Sequence, residues 1–463
     1  MLKISAVILA AGKSTRMKYS ITKVLRRVSG RAILEHVIES CLGNGINDII
    51  IVVGSNFQEI NKFMNEKYKN ILKPRYVIQK RQLGTAHAVK VVLESKTKLK
   101  DNILILNGDV PVSRKTIRSL IHEFEKQKTD GIIAVSEIPN PEGYGRVIQE
   151  FKGNIIKIVE EKDADKKEKQ IKLINGGIYI FKKVELKKYI GKIKLNPRKK
   201  EYYLTDIVEI MADAGKKIAA KLTPFKELTG VNNRLQLMEV AEIKNRDMIV
   251  KLSRQGVTVR DFNTIFIDET VKVGRETVVR YYTNLRRNTK IGQKCLIGPG
   301  SIIENTVVGK EVEIIKSIVR ESKIGDNTKI GPFSHLRAGT IIGKNCRIGN
   351  FVEIKNSRIG NNTKIAHMTY IGDAKIGNNV NVGAGTITCN YDGFKKHRTI
   401  IGNNVFIGSG VKFIAPVKVG NNAVIAAGSV ITEDVPPYAL AIARARQENK
   451  LGWAKKMKRG IQR

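Results

Sequence analysis

The sequence predicts two kinds of fold in one chain: an N-terminal α/β domain with a doubly wound sheet, then one helix and a C-terminal parallel β-helix. Short β-branched runs alternate with helix-length segments up to about residue 230. One helical segment follows, and from about Val273 the pair Ile/Val-Gly recurs mostly every six residues. We therefore expect domains at 1–230 and 254–463, with a linker helix at 231–253.

The length and composition are those of a folded protein with more than one domain. The chain has 463 residues, and it is 42% apolar and 27% charged. No apolar run approaches the ~18 residues of a membrane span, and the N-terminus lacks a signal-peptide pattern. The cysteines form no Cys-x-x-Cys pair, which argues against a zinc site or a disulfide framework. We expect a cytoplasmic protein without a membrane span.

The net charge is high, because 83 basic and 43 acidic residues give +40. A basic surface attracts nucleic acid by releasing counterions, so a nucleic-acid binder is one interpretation. The other is a lysine-rich enzyme that acts on anionic substrates. Since the lysines are spread through every segment, and no aromatic-lined basic stripe is visible, we favour small anionic substrates over nucleic acid.

The N-terminal elements follow from the hydrophobic pattern. Apolar runs predict strands at Ala6–Leu9, Ile49–Val53, Ile103–Leu106 and Ile132–Val135. Amphipathic segments predict helices at Ile33–Leu42 and Thr116–Lys126. Apolar residues at helical spacing, with Gly256 as a stop signal, predict the connecting helix at Arg234–Ser253.

The C-terminal repeat is typical of a parallel β-helix. Ile324, Ile330, Leu336, Ile342 and Ile348 keep an unbroken six-residue register. Each hexad supplies one short strand and one turn, three hexads close a triangular coil, and the leading aliphatic side chain points inward. Glycine follows where the backbone turns without room for a side chain. An α-helix is excluded, because a glycine every six residues would cost about 1 kcal/mol each.

One polar insertion interrupts the repeat between Ile387 and Ile401. Its sequence, TCNYDGFKKHRT, is rich in asparagine, tyrosine and basic residues. We interpret it as a functional loop, because a repeat seldom expels a polar, basic segment without a use for it. A tolerated surface insertion is the alternative.

Two N-terminal segments are suited to binding a nucleotide. LAAGKSTRM (9–17) follows a predicted strand, and its small residues let backbone N–H groups approach a phosphate, with Arg16 and Lys23 adding positive charge. QKRQLGTAHA (79–88) places Gln79 and Gln82 before a Gly-Thr turn, where they could read the edge of a base.

A candidate metal ligand follows a third strand. Asp109, in Asn-Gly-Asp after Ile103–Leu106, would lie at the carboxyl edge of the sheet, where a carboxylate can hold a divalent cation. A helix cap before Pro111 is an equally good interpretation of Asp109 from the residues alone.

An ordered set of segments resembles one known family over nearly the whole chain. These segments are LAAGKSTRM with Lys23-Val24-Leu25, QLGTAHA, NGDVP, GYGRV, VEEKDA, EYYLTD and GVNNRLQL. They resemble the uridylyltransferase half of the bifunctional N-acetylglucosamine-1-phosphate uridyltransferase/glucosamine-1-phosphate acetyltransferase family, and the C-terminal repeat resembles its acetyltransferase half. The resemblance implies a Rossmann-like nucleotidyltransferase domain and a left-handed β-helix that assembles as a homotrimer.

The resemblance implies a pathway and a set of N-terminal ligands. Glucosamine-1-phosphate would be acetylated by acetyl-CoA, and uridylyl transfer from UTP would then give UDP-N-acetylglucosamine and pyrophosphate, feeding peptidoglycan and lipopolysaccharide precursors. Asp109 and Asn232 would bind Mg²⁺, and Arg16 and Lys23 would neutralise phosphate charge. The residues implied to bind UDP-N-acetylglucosamine are Leu9, Ala10, Ala11, Gly12, Lys23, Gln79, Gly84, Thr85, Asn107, Gly108, Asp109, Gly145, Glu160, Asn175 and Asn232.

In the C-terminal half, His367 in IAHMTY is the candidate base that accepts the amine proton. Arg337 and Lys355 precede it by 30 and 12 residues, which on ~18-residue coils places them within one or two stacked coils. By resemblance, glucosamine-1-phosphate would be bound by Arg337, Lys355, Tyr370, Asn381, Asn390 and Tyr391. Acetyl-CoA would be bound by Ala384, Lys396, Ser409, Ala427 and Arg444.

The alternative within the same class is a sugar-1-phosphate nucleotidylyltransferase whose β-helix only oligomerises. The set Arg337, Lys355, His367 and Tyr370 argues against it, because a purely structural β-helix would not need these side chains.

Overall fold

The computed structural model describes residues 2–12, 22–150 and 153–460. Its contacts divide the chain into two compact units, Met1–Lys244 and Asn245–Arg463. Buried apolar residues form one cluster in the second unit, from Met248 to Val435, and three clusters in the first. Each unit therefore has its own core.

The first unit is built on a nine-stranded sheet with helices between its strands. Its strands, with a small separate hairpin (β2 and β3), are β1 (Ile4–Leu9), β2 (Arg27–Val28), β3 (Arg31–Ala32), β4 (Ile49–Val53), β5 (Arg75–Ile78), β6 (Asn102–Asn107), β7 (Gly131–Glu137), β8 (Arg146–Gln149), β9 (Ile155–Val159), β10 (Leu173–Lys182) and β11 (Ile218–Leu222). Its helices are α1 (Ile33–Leu42), α2 (Phe57–Tyr68), α3 (Thr85–Glu94), α4 (Arg114–Gln127), α5 (Lys183–Tyr189) and α6 (Asp206–Asp213). All six elements predicted in this unit are present, within three residues at each end.

The sheet is mostly parallel, as predicted, with one exception. The strand order is β11-β7-β10-β6-β1-β4-β5, and β10 runs antiparallel to both of its neighbours. The β8–β9 hairpin pairs with β10 through Arg146 and Ile174. Since β10 is entered from this hairpin and not from a crossover helix, the chain can reverse direction there.

The carboxyl ends of the parallel strands gather the segments singled out in the sequence. Leu9 pairs with Asn107 and with Val52, so the loops after β1, β4 and β6 emerge at the same edge of the sheet. Ligands of open α/β sheets bind at this edge, where strand order reverses.

The connecting helix, α7 (Arg234–Arg254), has the bounds that the sequence predicts to within one residue, and the division between the two units falls inside it. Among the described residues, no helix is long and apolar enough to cross a membrane.

The second unit is a parallel β-helix with three faces, followed by a short helix, α8 (Trp453–Gly460). Strands of the first face are Thr258–Val259, Val278–Val279, Leu296–Ile297, Glu313–Ile314, Lys329–Ile330, Asn381–Val382, Phe406–Ile407, Val424–Ile425 and Leu440–Ala441. Strands of the second are Phe266–Ile267, Asn284–Arg286, Ile302–Glu304, Ile318–Arg320, His335–Leu336, Ile387–Cys389, Lys412–Ile414 and Val430–Ile431; Arg347–Lys355 and Lys364–Gly372 run across both faces. Strands of the third are Lys272–Val273, Lys290–Ile291, Val307–Val308, Lys323–Ile324, Ile341–Ile342, Arg358–Ile359, Ala374–Ile376, Thr399–Ile401 and Val417–Val419.

The β-helix begins earlier than its glycine signal. Thr258 already pairs with Val278, whereas the Ile/Val-Gly pattern was recognised only from about Val273. The domain predicted at 254–463 includes this first coil, whose first two strands are not followed by the glycines that mark later hexads.

Each coil stacks on the next in a nearly constant register. Paired residues are 17 apart at Tyr370–Ile387 and 18 apart at Lys323–Ile341. At Ala374–Thr399 the spacing rises to 25, because this coil contains the predicted loop. The leading aliphatics point inward as predicted; Ile297 and Ile348, for example, are fully buried.

Asparagines at one corner connect five successive coils. The side-chain amide of Asn345 donates to Asn362 (3.1 Å), and the chain of bonds continues through Asn379 and Asn404 to Asn422. All five residues have positive φ, which asparagine tolerates better than most residues. The ladder crosses the 25-residue coil through the Asn379–Asn404 bond of 3.0 Å, so the corner stays in register there.

We predict that Asn379→Ala destabilises the second unit by about 2 kcal/mol, because it removes two hydrogen bonds and places a Cβ-bearing residue without a polar side chain at positive φ. Asn379→Gly is the matched variant, since it loses the same bonds without the strain and should cost about half as much. Calorimetric unfolding of the full chain measures both. Equal losses of stability in the two variants would show that backbone strain does not contribute. No loss in either variant would show that the asparagine ladder does not stabilise the second unit.

Candidate functional site

The first unit contains a cleft of about 940 Å³ at the carboxyl edge of its sheet. Predicted ligands that line it are Leu9, Ala10, Ala11, Gly12, Lys23, Gln79, Gly84, Thr85, Asn107, Asp109, Gly145, Glu160, Asn175 and Asn232. Gly108 does not line the cleft; its N–H donates to the Leu9 carbonyl (2.9 Å). Arg16 lies outside the described residues. The structure thus brings segments spread over more than 220 residues into one cavity.

Gly84 shows why the Gly-Thr turn needs its glycine. Its φ is +98°, and a Cβ at this position would lie 2.5 Å from the Tyr202 carbonyl oxygen. The same backbone holds Ala86, whose N–H donates to Tyr202 (3.0 Å). The turn can therefore approach the EYYLTD segment only with glycine at 84.

The two predicted metal ligands converge on one cation. The Lys23 ammonium donates to Asp109 Oδ2 and to Asn232 Oδ1 (3.1 Å). The Val231 N–H bonded to the Asp109 carbonyl (2.9 Å) holds these segments together. Carboxylate and amide oxygens are ligands that Mg²⁺ prefers, so the pair fits that ion.

The part of the chain that the structure describes contains no larger cluster of metal ligands. Within residues 2–12, 22–150 and 153–460, no group of three or more His, Cys, Asp or Glu side chains could hold a metal. Mg²⁺ commonly uses one or two protein ligands together with substrate phosphates and water. Asp109 and Asn232 match that number of protein ligands.

An ion pair between the buried Arg146 and the half-buried Glu161 supports the part of the cleft around Gly145. Arg146 is 2% exposed, and its Nη2 lies 2.7 Å from Glu161 Oε2. Arg146 also donates to the Tyr144 carbonyl, and Glu161 accepts the Gly143 N–H (3.2 Å). The pair therefore fixes the turn that carries Gly145, whose carbonyl accepts the Asn175 N–H (2.9 Å).

An acidic cluster borders the same part of the cleft. Thr205 Oγ1 donates to Glu160 Oε1 (3.0 Å). Burial raises the pKa of Glu160, and Asp163 adds to that effect. Burial and the neighbouring Glu160 raise the pKa of Asp206 to about 6. Asp206 therefore changes its charge in the mildly acidic range.

Sequence reasoning missed several residues of the cleft. Tyr144, Tyr203, Thr205, Leu228 and Gln236 line it, although no ligand role was assigned to them. Most belong to the motifs GYGRV, EYYLTD and GVNNRLQL, which were recognised as segments only. Ordinary motif reasoning could have found them by assigning whole segments and not single residues to the site.

In the second unit, the predicted base and three of the five predicted acetyl-CoA residues share one column of the β-helix, whereas Lys396 lies in the inserted loop. His367, Ala384, Ser409 and Ala427 occupy equivalent positions on four successive coils. Arg444 Nη1 donates to the Ala427 carbonyl (2.7 Å) at the end of this column. Residues separated by 77 positions thus form one line on the surface.

The corner beside this column carries large side chains on three coils and glycines on the next three. Phe333 and Phe351 stack with ring centroids 5.6 Å apart, and Met368 follows them. The next three coils place glycines there, Gly385, Gly410 and Gly428, all with positive φ. The bare stretch runs beside Ala384, Ser409 and Ala427 and leaves room for an extended ligand.

His367 is held by a residue that sequence reasoning missed. Its Nδ1 lies 2.7 Å from Asn350 Oδ1, on the preceding coil. Since the amide oxygen can only accept, this contact favours the tautomer of the neutral imidazole that has its proton on Nδ1 and its lone pair on Nε2. The 17-residue spacing was the only signal for Asn350 in the sequence.

Cations gather one hexad away from His367. Arg337 Nη1 is paired with Glu353 Oε1 at 2.8 Å. The ammonium of Lys396, within hydrogen-bonding reach, lowers the pKa of Lys355, and Arg337 acts in the same direction. Two adjacent ammonium groups repel each other, so this surface favours an anion of high charge, such as a phosphate.

The inserted loop is attached beside these cations. Asn390 Nδ2 donates to Asp373 Oδ2 (2.5 Å), and Asn356 donates to the other oxygen. A Cβ on Gly372 would lie 2.4 Å from the Tyr370 hydroxyl, so Tyr370 reaches the same place. Asn381 lies three residues before Ala384, at the start of its strand. Nearly all the predicted sugar-phosphate ligands are therefore on neighbouring coils.

The loop itself has a defined turn. Tyr391 and Lys396 form an antiparallel bridge, and Asp392 accepts the N–H of Phe394 (2.8 Å). His397 Nε2 is bonded to Asp392 Oδ2 (2.6 Å). His397 therefore already has a carboxylate partner, while His367 has the free ring nitrogen that a base requires.

Comparison with known proteins places both halves in transferase families. A family described as "Nucleotidyl transferase" matches residues 5–225, and "Bacterial transferase hexapeptide (six repeats)" matches residues 321–356 and 398–433. The fold and the two sites thus define a nucleotidyltransferase fused to a hexapeptide-repeat transferase.

Curated relatives match the chain over nearly their whole length. "Bifunctional protein GlmU" of Caldanaerobacter subterraneus subsp. tengcongensis is 44% identical, over 98% of this chain and 98% of its own. Proteins of that name from Acetivibrio thermocellus (43%; 98% and 98%) and Nostoc sp. (41%; 97% and 98%) are similar. The chain belongs to the family of bifunctional GlmU proteins. The resemblance, the fold class and the enzyme class predicted from the sequence are confirmed, and the β-helix that only oligomerises is disfavoured.

We predict that Asp206→Asn stabilises the first unit at pH 7.5 and has no such effect near pH 4. The raised pKa of Asp206 means that the folded chain retains a proton that the unfolded chain releases between about pH 4 and 6. The free energy of unfolding therefore falls as pH rises through this window, and the amide removes that loss. Thermal unfolding of both proteins from pH 4 to 8 measures the effect. A difference in melting temperature that does not change with pH would contradict it.

Proposed function

We propose that the chain makes UDP-N-acetylglucosamine in two steps. Its β-helix acetylates glucosamine-1-phosphate with acetyl-CoA, and its N-terminal domain then transfers a uridylyl group from UTP to the product, with release of pyrophosphate. The observation that carries the proposal is the assembly of both motif sets, one in the cleft and one along the column, in a chain of the GlmU family. The product feeds the synthesis of peptidoglycan and lipopolysaccharide precursors.

Uridylyl transfer needs positioning and charge neutralisation more than a covalent nucleophile. A phosphate oxygen of N-acetylglucosamine-1-phosphate attacks the α-phosphorus of UTP, and the bond to pyrophosphate breaks. Lys23 faces the oxygens of Asp109 and Asn232, where it can neutralise phosphate charge. Mg²⁺ held by Asp109 and Asn232 would supply Lewis-acid stabilisation of the same charge. Arg16 is proposed for the triphosphate from its sequence position.

The remaining cleft residues divide between the nucleotide and the sugar. The Leu9–Gly12 backbone, with Gln79, Gly84 and Thr85, would bind the uridine nucleotide. Gly145, Glu160 and Asn175 are connected through the Arg146–Glu161 pair and the Gly145–Asn175 bond, and they would bind the sugar. Hydroxyl groups suit this surface, because it offers both carboxylate and amide partners.

Acetyl transfer needs a base for the sugar amine. His367 Nε2 would take the proton as the amine nitrogen attacks the thioester carbon, and the coenzyme A thiolate would leave. Asn350 supports this role by keeping the proton on Nδ1. Ala384, Ser409, Ala427 and Arg444 would follow the coenzyme along the column.

The basic side chains near His367 support a binding site for the second substrate. Arg337 and Lys355 would bind the phosphate of glucosamine-1-phosphate, while Tyr370, Asn381, Asn390 and Tyr391 would contact its sugar. Lys396, which the resemblance assigns to acetyl-CoA, lies beside Lys355 and would add its charge where the two substrates meet. The mutual repulsion of Lys355 and Lys396 supports this assignment, because a bound dianion relieves it.

We further propose a homotrimer in the cytoplasm. Hexapeptide-repeat β-helices expose long flat faces that can pack against one another. His367 and Tyr391 are exposed on the second unit. A neighbouring copy packed there would complete the acetyl-transfer site. The cysteines Cys41, Cys295, Cys346 and Cys389 are unpaired, as a reducing compartment requires. A net charge of +40 would attract the small anionic substrates of both reactions.

The proposal predicts separable losses in two variants. Asp109→Ala should abolish uridylyl transfer and leave acetyl transfer, whereas His367→Ala should lower acetyl transfer at least ~100-fold and leave uridylyl transfer. The two activities are assayed separately: glucosamine-1-phosphate with acetyl-CoA for acetyl transfer, and N-acetylglucosamine-1-phosphate with UTP and Mg²⁺ for uridylyl transfer. Mass spectrometry follows the acetylated sugar phosphate in the first assay and UDP-N-acetylglucosamine in the second.

His397→Ala is the matched control, because His397 is bonded to Asp392 and should retain acetyl transfer. If His397→Ala lost acetyl transfer while His367→Ala retained it, the base would be His397, and the assignment to His367 would be wrong. Normal UTP consumption by Asp109→Ala would remove Asp109 from the metal site.

A further inference from the structure

Gln79 lines the cleft, and both protons of its side-chain amide have hydrogen-bond acceptors. The side chain is 5% exposed, and its Nε2 donates to the Gly84 carbonyl (3.1 Å) and contacts His87 Nδ1 at 3.0 Å. A backbone carbonyl can only accept, so the NH₂ group and not the oxygen of Gln79 must face Gly84. This orientation also directs the second proton toward His87.

His87 is suited to accept that proton. It lies in the first turn of α3, next to the buried Ala86 and Ala88. Burial lowers the pKa of His87, and Lys90 acts in the same direction against a smaller effect of Glu94. The imidazole is therefore neutral at pH 7, and with its proton on Nε2 it presents a lone pair at Nδ1.

An amide in this state offers a ligand only its oxygen. Among the described residues, none donates a hydrogen bond to Gln79 Oε1, and Gln79 lines the cleft. Uracil has one ring N–H that can meet such an acceptor, N3–H. Cytosine has a lone pair at N3, which would face the amide oxygen and leave two acceptors opposed.

We propose that His87 is a positioning residue that, together with the Gly84 carbonyl, locks Gln79 as a pure acceptor and thereby selects uracil over cytosine in the nucleotide substrate. The inference deepens the proposed function and rests on it. The 5-methyl group of thymine leaves N3–H unchanged, so this device does not discriminate against methylation at that carbon.

The test is base discrimination in the uridylyl-transfer reaction. In His87→Phe the second amide proton loses its acceptor, and the preference for UTP over CTP, measured as the ratio of kcat/KM, should fall about two- to tenfold. The loss should be mainly in KM for UTP. The KM for N-acetylglucosamine-1-phosphate and the acetyl-transfer rate should not change, and 5-methyl-UTP should follow UTP.

His87→Asn is the conservative rescue, because its Oδ1 occupies about the position of Nδ1 and can accept the same proton. His87→Gln is the matched control of equal chemistry, since its acceptor lies farther along the side chain. Discrimination should return in His87→Asn and not in His87→Gln. Thermal unfolding and acetyl transfer report whether each variant is folded.

Two results would overturn the inference: unchanged discrimination in folded His87→Phe or His87→Gln, or the same loss in His87→Asn as in these variants. Either would leave the proposed function intact. A wild-type chain that transfers no uridylyl group to N-acetylglucosamine-1-phosphate would instead contradict the proposed function itself.

Discussion

The backbone hydrogen bonding between stacked coils is the constraint on which the second unit depends. After a first pairing of 20 residues, each coil pairs with the next at a spacing of 16 to 18 residues, except where the loop is inserted. His367, Ala384, Ser409 and Ala427 form a column only because this register is kept over four coils. The position of each functional side chain is therefore set by the count of residues since the previous coil, and a one-residue slip would turn the whole set toward the interior.

The inserted loop adds chemistry without disturbing that count. The coil from Ala374 to Thr399 is eight residues longer than the preceding one, yet Asn379 still bonds Asn404 and the strands on either side still pair. The extra residues leave the coil after Asn390, which is anchored to Asp373, and return Lys396 to the side of Lys355. The β-helix thus supplies rigid positions, and the loop supplies the polar groups that a hexad has no room for.

The sequence predicted the parts of the fold that short, local patterns of residues encode. Glycine spacing indicated the β-helix, and apolar runs such as Ile49–Val53 indicated the parallel sheet, because both patterns are local. The antiparallel direction of β10, the Asn350–His367 bond and the Arg146–Glu161 pair were not predicted. Each depends on which distant segments meet, and a single sequence does not encode that in its spacing. The resemblance to a family supplied the sets of predicted binding residues. The residues that position them, such as Asn350 beside His367, were found only in the structure.

Deleting residues 391–398 tests most directly whether the loop carries chemistry on an independent scaffold. The deletion restores a 17-residue coil and keeps Asn390 beside Asp373. The account predicts a chain that unfolds at nearly the wild-type temperature, transfers uridylyl groups normally, and has lost acetyl transfer by at least about 100-fold, since Lys396 and Tyr391 are gone. Acetyl transfer at the wild-type rate, or collapse of the second unit, would contradict it.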